Sequence, residues 1–118
     1  MPLSPQEEKM QQALRGIWKT SRATLEERMI VLNHARKALS GGTLDAETRQ
    51  RAESAAHKLA GVLGTFGLME GSALASKLEQ AFSSAGEPAG MQPMIQEWLY
   101  ALAQQIAAHD RRVNEAQP

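Results

Sequence analysis

Apolar and small residues recur at steps of three and four through Leu14, Trp18, Ser21, Leu25, Met29, Leu32, Ala35 and Leu39, the spacing that keeps one face of an α-helix turned inward. Ahead of that run, Ser4, Pro5 and Glu7 supply a capping hydroxyl, a proline for the first helical position and a carboxylate three residues after the cap. Together they predict a first helix over about 5–39, and Gly16 with a second cap-like pair, Thr24 and Glu27, predicts a bend near 16–24. Ser40-Gly41-Gly42 ends it, because paired glycines suit a helix terminus and weaken a helix interior. With Asp45 as its cap, a second helix is expected over about 46–65, its inward stripe running through Ala52, Ala55, Leu59, Leu63 and Phe66 to a stop at Gly67. A third, over about 70–84, turns Leu74, Leu78, Ala81 and Phe82 inward. After the turn-rich stretch Gly86-Glu87-Pro88-Ala89-Gly90, a fourth is expected over about 91–114, with Met94 or Ile95, Trp98, Leu102, Ile106 and Val113 on one face. Four amphipathic helices joined by short turns predict an all-α fold, an antiparallel up-and-down four-helix bundle with a long, bent first helix.

Composition narrows this further. Nineteen Ala and thirteen Leu against three Val and four Ile leave little material for a pleated sheet. At 118 residues the chain has room for one core, so a single domain over 1–118 is expected. Thirteen Lys and Arg against thirteen Asp and Glu leave no electrostatic footprint for nucleic acid or an anionic membrane. The absence of cysteine excludes disulfide frameworks, thiolate metal sites and thiol nucleophiles. No apolar run approaches the length of a membrane span and the first residues lack a secretory pattern, so a soluble, cytoplasmic protein is expected, and a closed bundle with a polar outer face predicts a monomer.

One stretch is not required by the bundle. His57 stands two residues from Ala55 and two from Leu59, both on the buried stripe, so at ~100° per residue it faces away from them toward solvent. Gly61 and Gly64 follow at i+4 and i+7 on that outward side, where each costs roughly 0.5–1 kcal/mol relative to alanine inside a helix. Core packing gives them no purpose, whereas bare backbone beside an imidazole lets another surface come close. His34 lies off the first helix's apolar stripe and His109 near the fraying end of the last helix, and both are expected to be ordinary solvated side chains. Three scattered histidines without cysteine show no metal-ligand spacing, so neither a metal nor a cofactor is expected.

The run from Ala56 to Leu68, Ala-His-Lys-Leu-Ala-Gly-Val-Leu-Gly-Thr-Phe-Gly-Leu, resembles the signature of histidine phosphotransfer (HPt) domains. In that family a histidine is followed by an apolar residue two positions on, often a lysine three on, a glycine four on and a Gly-Leu turn ten to eleven on. His57, Leu59, Gly61, Gly67 and Leu68 match, and the likeness extends over the whole chain because the family is a four-helix bundle of about this length. The resemblance implies a phosphorelay intermediate. His57 would accept a phosphoryl group from a receiver-domain aspartate or a histidine kinase and pass it to the aspartate of a response-regulator receiver, with the metal and catalytic lysine supplied by that partner. It further implies that Glu79, twenty-two residues after His57, faces the histidine from the adjacent helix and holds its Nδ1 proton. The chain departs from the pattern at Ala60, where many members carry lysine. Lys58 and Lys77 are then the candidate helpers, and Ala60, Gly61 and Gly64 the candidate docking patch. Two other readings stay open: a domain of this fold that docks a receiver without transferring phosphate, which Ala60 favours, and an unrelated helical-bundle adaptor in which His57 is incidental.

Overall fold

The computed structural model describes residues 2–115, which form four α-helices and one 3₁₀ turn, with no strand among the described residues. Helix α1 spans Pro5–Ser40, α2 Ala46–Thr65, α3 Met69–Ala81 and α4 Gln92–Glu115. Each packs on the next and α1 packs on α4, closing a ring of antiparallel neighbours around one contiguous apolar core. Among the described residues no helix is long and apolar enough to cross a membrane.

The start of α1 follows from its sequence. Ser4 Oγ accepts from the Glu7 amide at 3.2 Å while Glu7 Oε1 accepts from the Ser4 amide at 3.3 Å, and Pro5 occupies the first turn where no backbone donor is needed. The helix then continues unbroken for 36 residues. Thr24 caps nothing, and Thr20 and Ser21 turn their hydroxyls back onto the carbonyls of Gly16 and Ile17 at 2.9 and 2.8 Å, which satisfies them inside the helix. At ~1.5 Å per residue such a helix is about 54 Å long. It therefore sets the 52 Å long axis of the molecule.

Asp45 caps α2, its Oδ1 accepting from the Thr48 amide at 2.7 Å, and that bond holds the carboxyl below its ordinary value. At the other end the Leu68 amide reaches back to the Leu63 carbonyl at 2.9 Å across Gly67, whose φ of +74° is strained for any residue with a Cβ. Leu68 is buried under this turn, so the chain reverses at once and lays α3 against α2.

Three details differ from the sequence expectation. The third helix ends at Ala81 instead of about 84, because its last carbonyls have other partners: the Arg49 guanidinium of α2 donates to the Phe82 carbonyl and Ser83 Oγ donates to that of Gln80. Gly86 then folds so closely over Gln80 and Ala81 that a Cβ there would collide with their carbonyls. A 3₁₀ turn at Pro88–Met91 precedes α4, which starts at Gln92. Within α4 the inward set is Ile95, Leu99, Leu102, Ile106 and Val113, with Trp98 half-buried at the edge and Met94 exposed.

Candidate functional site

On α2, Ala52, Ala55, Ala56, Leu59 and Leu63 are buried, which turns the position between Ala55 and Leu59 outward. His57 accordingly has 73% of its side chain in solvent, and its Nδ1 lies 2.9 Å from Oε2 of Glu79 on α3. Glu79 follows the fully buried Leu78 by about 100° around α3, so its side chain emerges half-buried along the α2–α3 seam. A glutamate spans that seam because the two helices approach closely. Ser72 Oγ donates to the Ala60 carbonyl at 2.8 Å, and Gly71 is buried so tightly that a Cβ would lie 3.3 Å from Leu63 Cδ1.

This seam corrects the reading of Gly64. It is half-buried and faces α3, where an added Cβ would meet Ser72 Oγ at 3.5 Å, an ordinary van der Waals contact that leaves room for alanine. The misreading came from extending the outward stripe of His57 by seven residues, which at ~100° per residue drifts about 20° toward the neighbouring helix. Gly61 fits its expectation: it is exposed, with nothing within 4 Å of where a Cβ would stand. Ala60 is half-buried against the edge of the core.

The two candidate lysines lie on different flanks. Lys58 is exposed on the α1 side of α2, lining a groove of about 380 Å³ with Thr24, Glu27, Arg28, Arg51 and Ser54 among its walls. Lys77 is not brought to the imidazole. It precedes Glu79 by two residues, about 200° around α3, and its Nζ stands 5.8 Å from the ring centroid of Trp98 on α4. Among the described residues no group of three or more His, Asp or Glu side chains is arranged to hold a metal ion.

His34 is exposed, as expected, but His109 is not an ordinary solvated side chain. Its ring sits edge-on to Trp18 with centroids 4.4 Å apart, and Trp18 is itself edge-on to Phe66 at 5.1 Å. Burial, assisted by the Arg112 charge, pushes the His109 pKa down. Next to it Asp110 accepts from Trp18 Nε1 at 2.7 Å and from Arg22 Nε at 3.0 Å, a buried-edge network tying α1 to α4 that sequence reasoning missed. The available signal was Trp18 itself, since a buried indole needs a hydrogen-bond acceptor.

Comparison with known proteins gives one match. The family model of the Hpt domain fits residues 8–111. No curated protein and no solved structure matches the chain. Domains of that family are helical bundles that act as phosphocarriers in histidine phosphotransfer, interacting with receiver domains and histidine kinases. Since the match covers nearly the whole chain and the four-helix bundle agrees with it, this protein belongs to the Hpt domain family.

Proposed function

We propose that this chain is a phosphorelay carrier in which Nε2 of His57 accepts a phosphoryl group from a receiver-domain aspartate or a histidine kinase and passes it to the aspartate of a response-regulator receiver. The observation that carries this reading is the exposed imidazole whose Nδ1 lies 2.9 Å from Glu79 Oε2. An ionised carboxylate only accepts hydrogen bonds, so this contact keeps the ring's proton on Nδ1 and leaves the Nε2 lone pair directed at solvent. Glu79 is thus a positioning residue. In the forward step the Nε2 lone pair attacks phosphorus, the P–O bond to the partner's carboxylate breaks with its electrons retained by that carboxylate, and an N–P bond forms. No proton has to leave Nε2, and the positive charge gained by the ring is balanced by Glu79.

The chain does not turn over substrate alone: the receiver brings the aspartate and a divalent cation, which neutralises phosphoryl charge during transfer. Gly61, one turn after His57, leaves bare backbone where the partner approaches, and Ala60 and Gly64 keep the adjoining seam low. We assign the protein to the cytoplasm as a monomer whose contacts with its partners are small and transient.

Intact mass after incubation with phosphoramidate or a phosphorylated receiver, comparing wild type with His57→Gln, tests the reading. One acid-labile phosphoryl group on wild type and none on a folded His57→Gln is the expected result. A wild-type chain that binds the receiver yet takes no phosphate from any donor would establish the docking-only reading, which the small side chain of Ala60 favours.

A further inference from the structure

We infer that the groove between α1 and α2 is the charge-neutralising half of this site and that Arg28 is its principal cation, an inference that rests on His57 carrying the phosphoryl group. A phosphoryl group brings about −1.5 to −2 charges at neutral pH. On Nε2 it would stand beside a ring whose other nitrogen already bonds the Glu79 carboxylate. The α3 flank offers no relief, since Ala60 is small and Lys77 is drawn to Trp98.

The opposite flank is different. Thr24, Glu27, Arg28 and Val31 of α1 face Arg51, Ser54, Ala55 and Lys58 of α2, which brings three cations and one carboxylate together. Arg51 is committed to Glu47 at 2.7 Å. The side chains of Arg28 and Lys58 have no hydrogen bond or ion pair among the described residues. Direction separates the two arginines further. Helical side chains lean toward the N-terminus of their own helix. Because α1 and α2 are antiparallel, Arg28 leans toward Thr24, the end of the groove lined by Lys58, the residue that follows His57. Arg51 leans the other way, toward Glu47. Ser54, three residues before His57 and on the same side of α2, adds a hydroxyl donor between groove and imidazole. A half-buried arginine whose side chain has no partner, and which the direction of its helix leans toward the His57 end of the groove, is suited to clasp two phosphoryl oxygens with its forked donors. This would supply from α1 the charge that the chain lacks at position 60.

Two measurements on the intact chain test this. The first is the rate of phosphoramidate labelling of wild type, Arg28→Ala, Arg28→Lys, Lys58→Ala and the remote control Lys9→Ala, each confirmed folded by helicity and Tm. Loss of a charge-assisted bond predicts labelling slower by about tenfold or more in Arg28→Ala, a smaller loss in Lys58→Ala, partial recovery in Arg28→Lys and no change in Lys9→Ala. The second is the ³¹P titration of the phosphohistidine. A nearby cation favours the dianion, so Arg28→Ala should raise the last phosphoryl pKa while the other charges around it, Glu79 on α3, Arg51, Glu53 and Lys58 on α2 and Glu27 on α1, stay in place. Should Arg28→Ala not fold, Arg28→Met keeps the stem across the groove and takes its place. An Arg28 variant that matches wild type in both rate and titration overturns the inference alone. A wild-type chain that no donor labels overturns the carrier reading beneath it.

Discussion

His57 stands on α2 with most of its ring in solvent and a carboxylate on Nδ1, whereas His109 stands on α4 wedged edge-on against Trp18, with Arg112 Nη2 3.3 Å from its Nδ1. The two neighbours impose opposite tautomers. A carboxylate only accepts, so the proton of His57 is held on Nδ1 and the Nε2 lone pair is left unprotonated. A guanidinium only donates, so Nδ1 of His109 is an acceptor and the ring's proton belongs on Nε2. Burial and the Arg112 charge then keep His109 neutral, which suits packing and not phosphoryl transfer. On the proposed reading the same residue type serves two ends, and what bonds Nδ1, together with how much of the ring water can reach, separates them.

The largest expected effect separates the two regions by stability. Trp18 is almost fully buried and anchors the His109 end through its contacts with His109 and Phe66 and its bond to Asp110. Trp18→Ala should cost about 3–5 kcal/mol in urea unfolding, while the folded fraction still labels on His57 at the wild-type rate. Labelling that collapses in protein still folded would break the comparison, because it would mean the α1–α4 end controls the α2–α3 seam.

The converse variant acts on chemistry and spares stability. Glu79→Ala removes the acceptor that holds the Nδ1 proton and lets the ring rotate, so labelling of His57 should slow roughly 10- to 100-fold, the range found when a carboxylate that orients a metal-binding imidazole is lost. Unfolding should move by less than about 0.5 kcal/mol, since Glu79 reaches over the seam from its surface side. Glu79→Gln, whose amide oxygen can still accept from Nδ1, should fall between. An unchanged rate in Glu79→Ala would remove Glu79 from the mechanism and leave the 2.9 Å contact as a surface pair.

The sequence was most legible where a local rule decides the outcome. Ser4 with Glu7, Asp45 and Gly67 mark helix ends through bonds within a few residues, and the stripe through Ala55 and Leu59 turns His57 outward without knowledge of any other helix. It was least legible where a second helix supplies the reason. Gly64 faces Ser72 because α3 lies against that side of α2, α3 stops at Ala81 because Arg49 from α2 claims a carbonyl beyond it, and Lys77 turns to Trp98 because α4 is there. The Glu79 contact lies between these cases. Family likeness implied it, while the close approach that makes it depends on Ser72 and Gly71, which no periodicity singles out.

The smallest effect is a pH dependence confined to the His109 end. The folded state lowers the His109 pKa below its ordinary 6.5, chiefly through burial, with Arg112 adding to the shift and Asp110 opposing it. Over the interval between that lowered value and 6.5 the unfolded chain binds more protons than the folded one, so stability must rise with pH there. Acidifying from about pH 7.5 to about pH 5 should therefore weaken the wild-type fold, and the loss should level off once the folded-state ring is itself protonated. His109→Gln removes the titrating group while keeping a planar polar side chain against Trp18, so its urea midpoint should fall less over the same interval. Equal slopes in wild type and His109→Gln would show that the imidazole takes up its proton without disturbing the packing around Trp18, and the contrast with His57 would then rest on Nδ1 bonding alone.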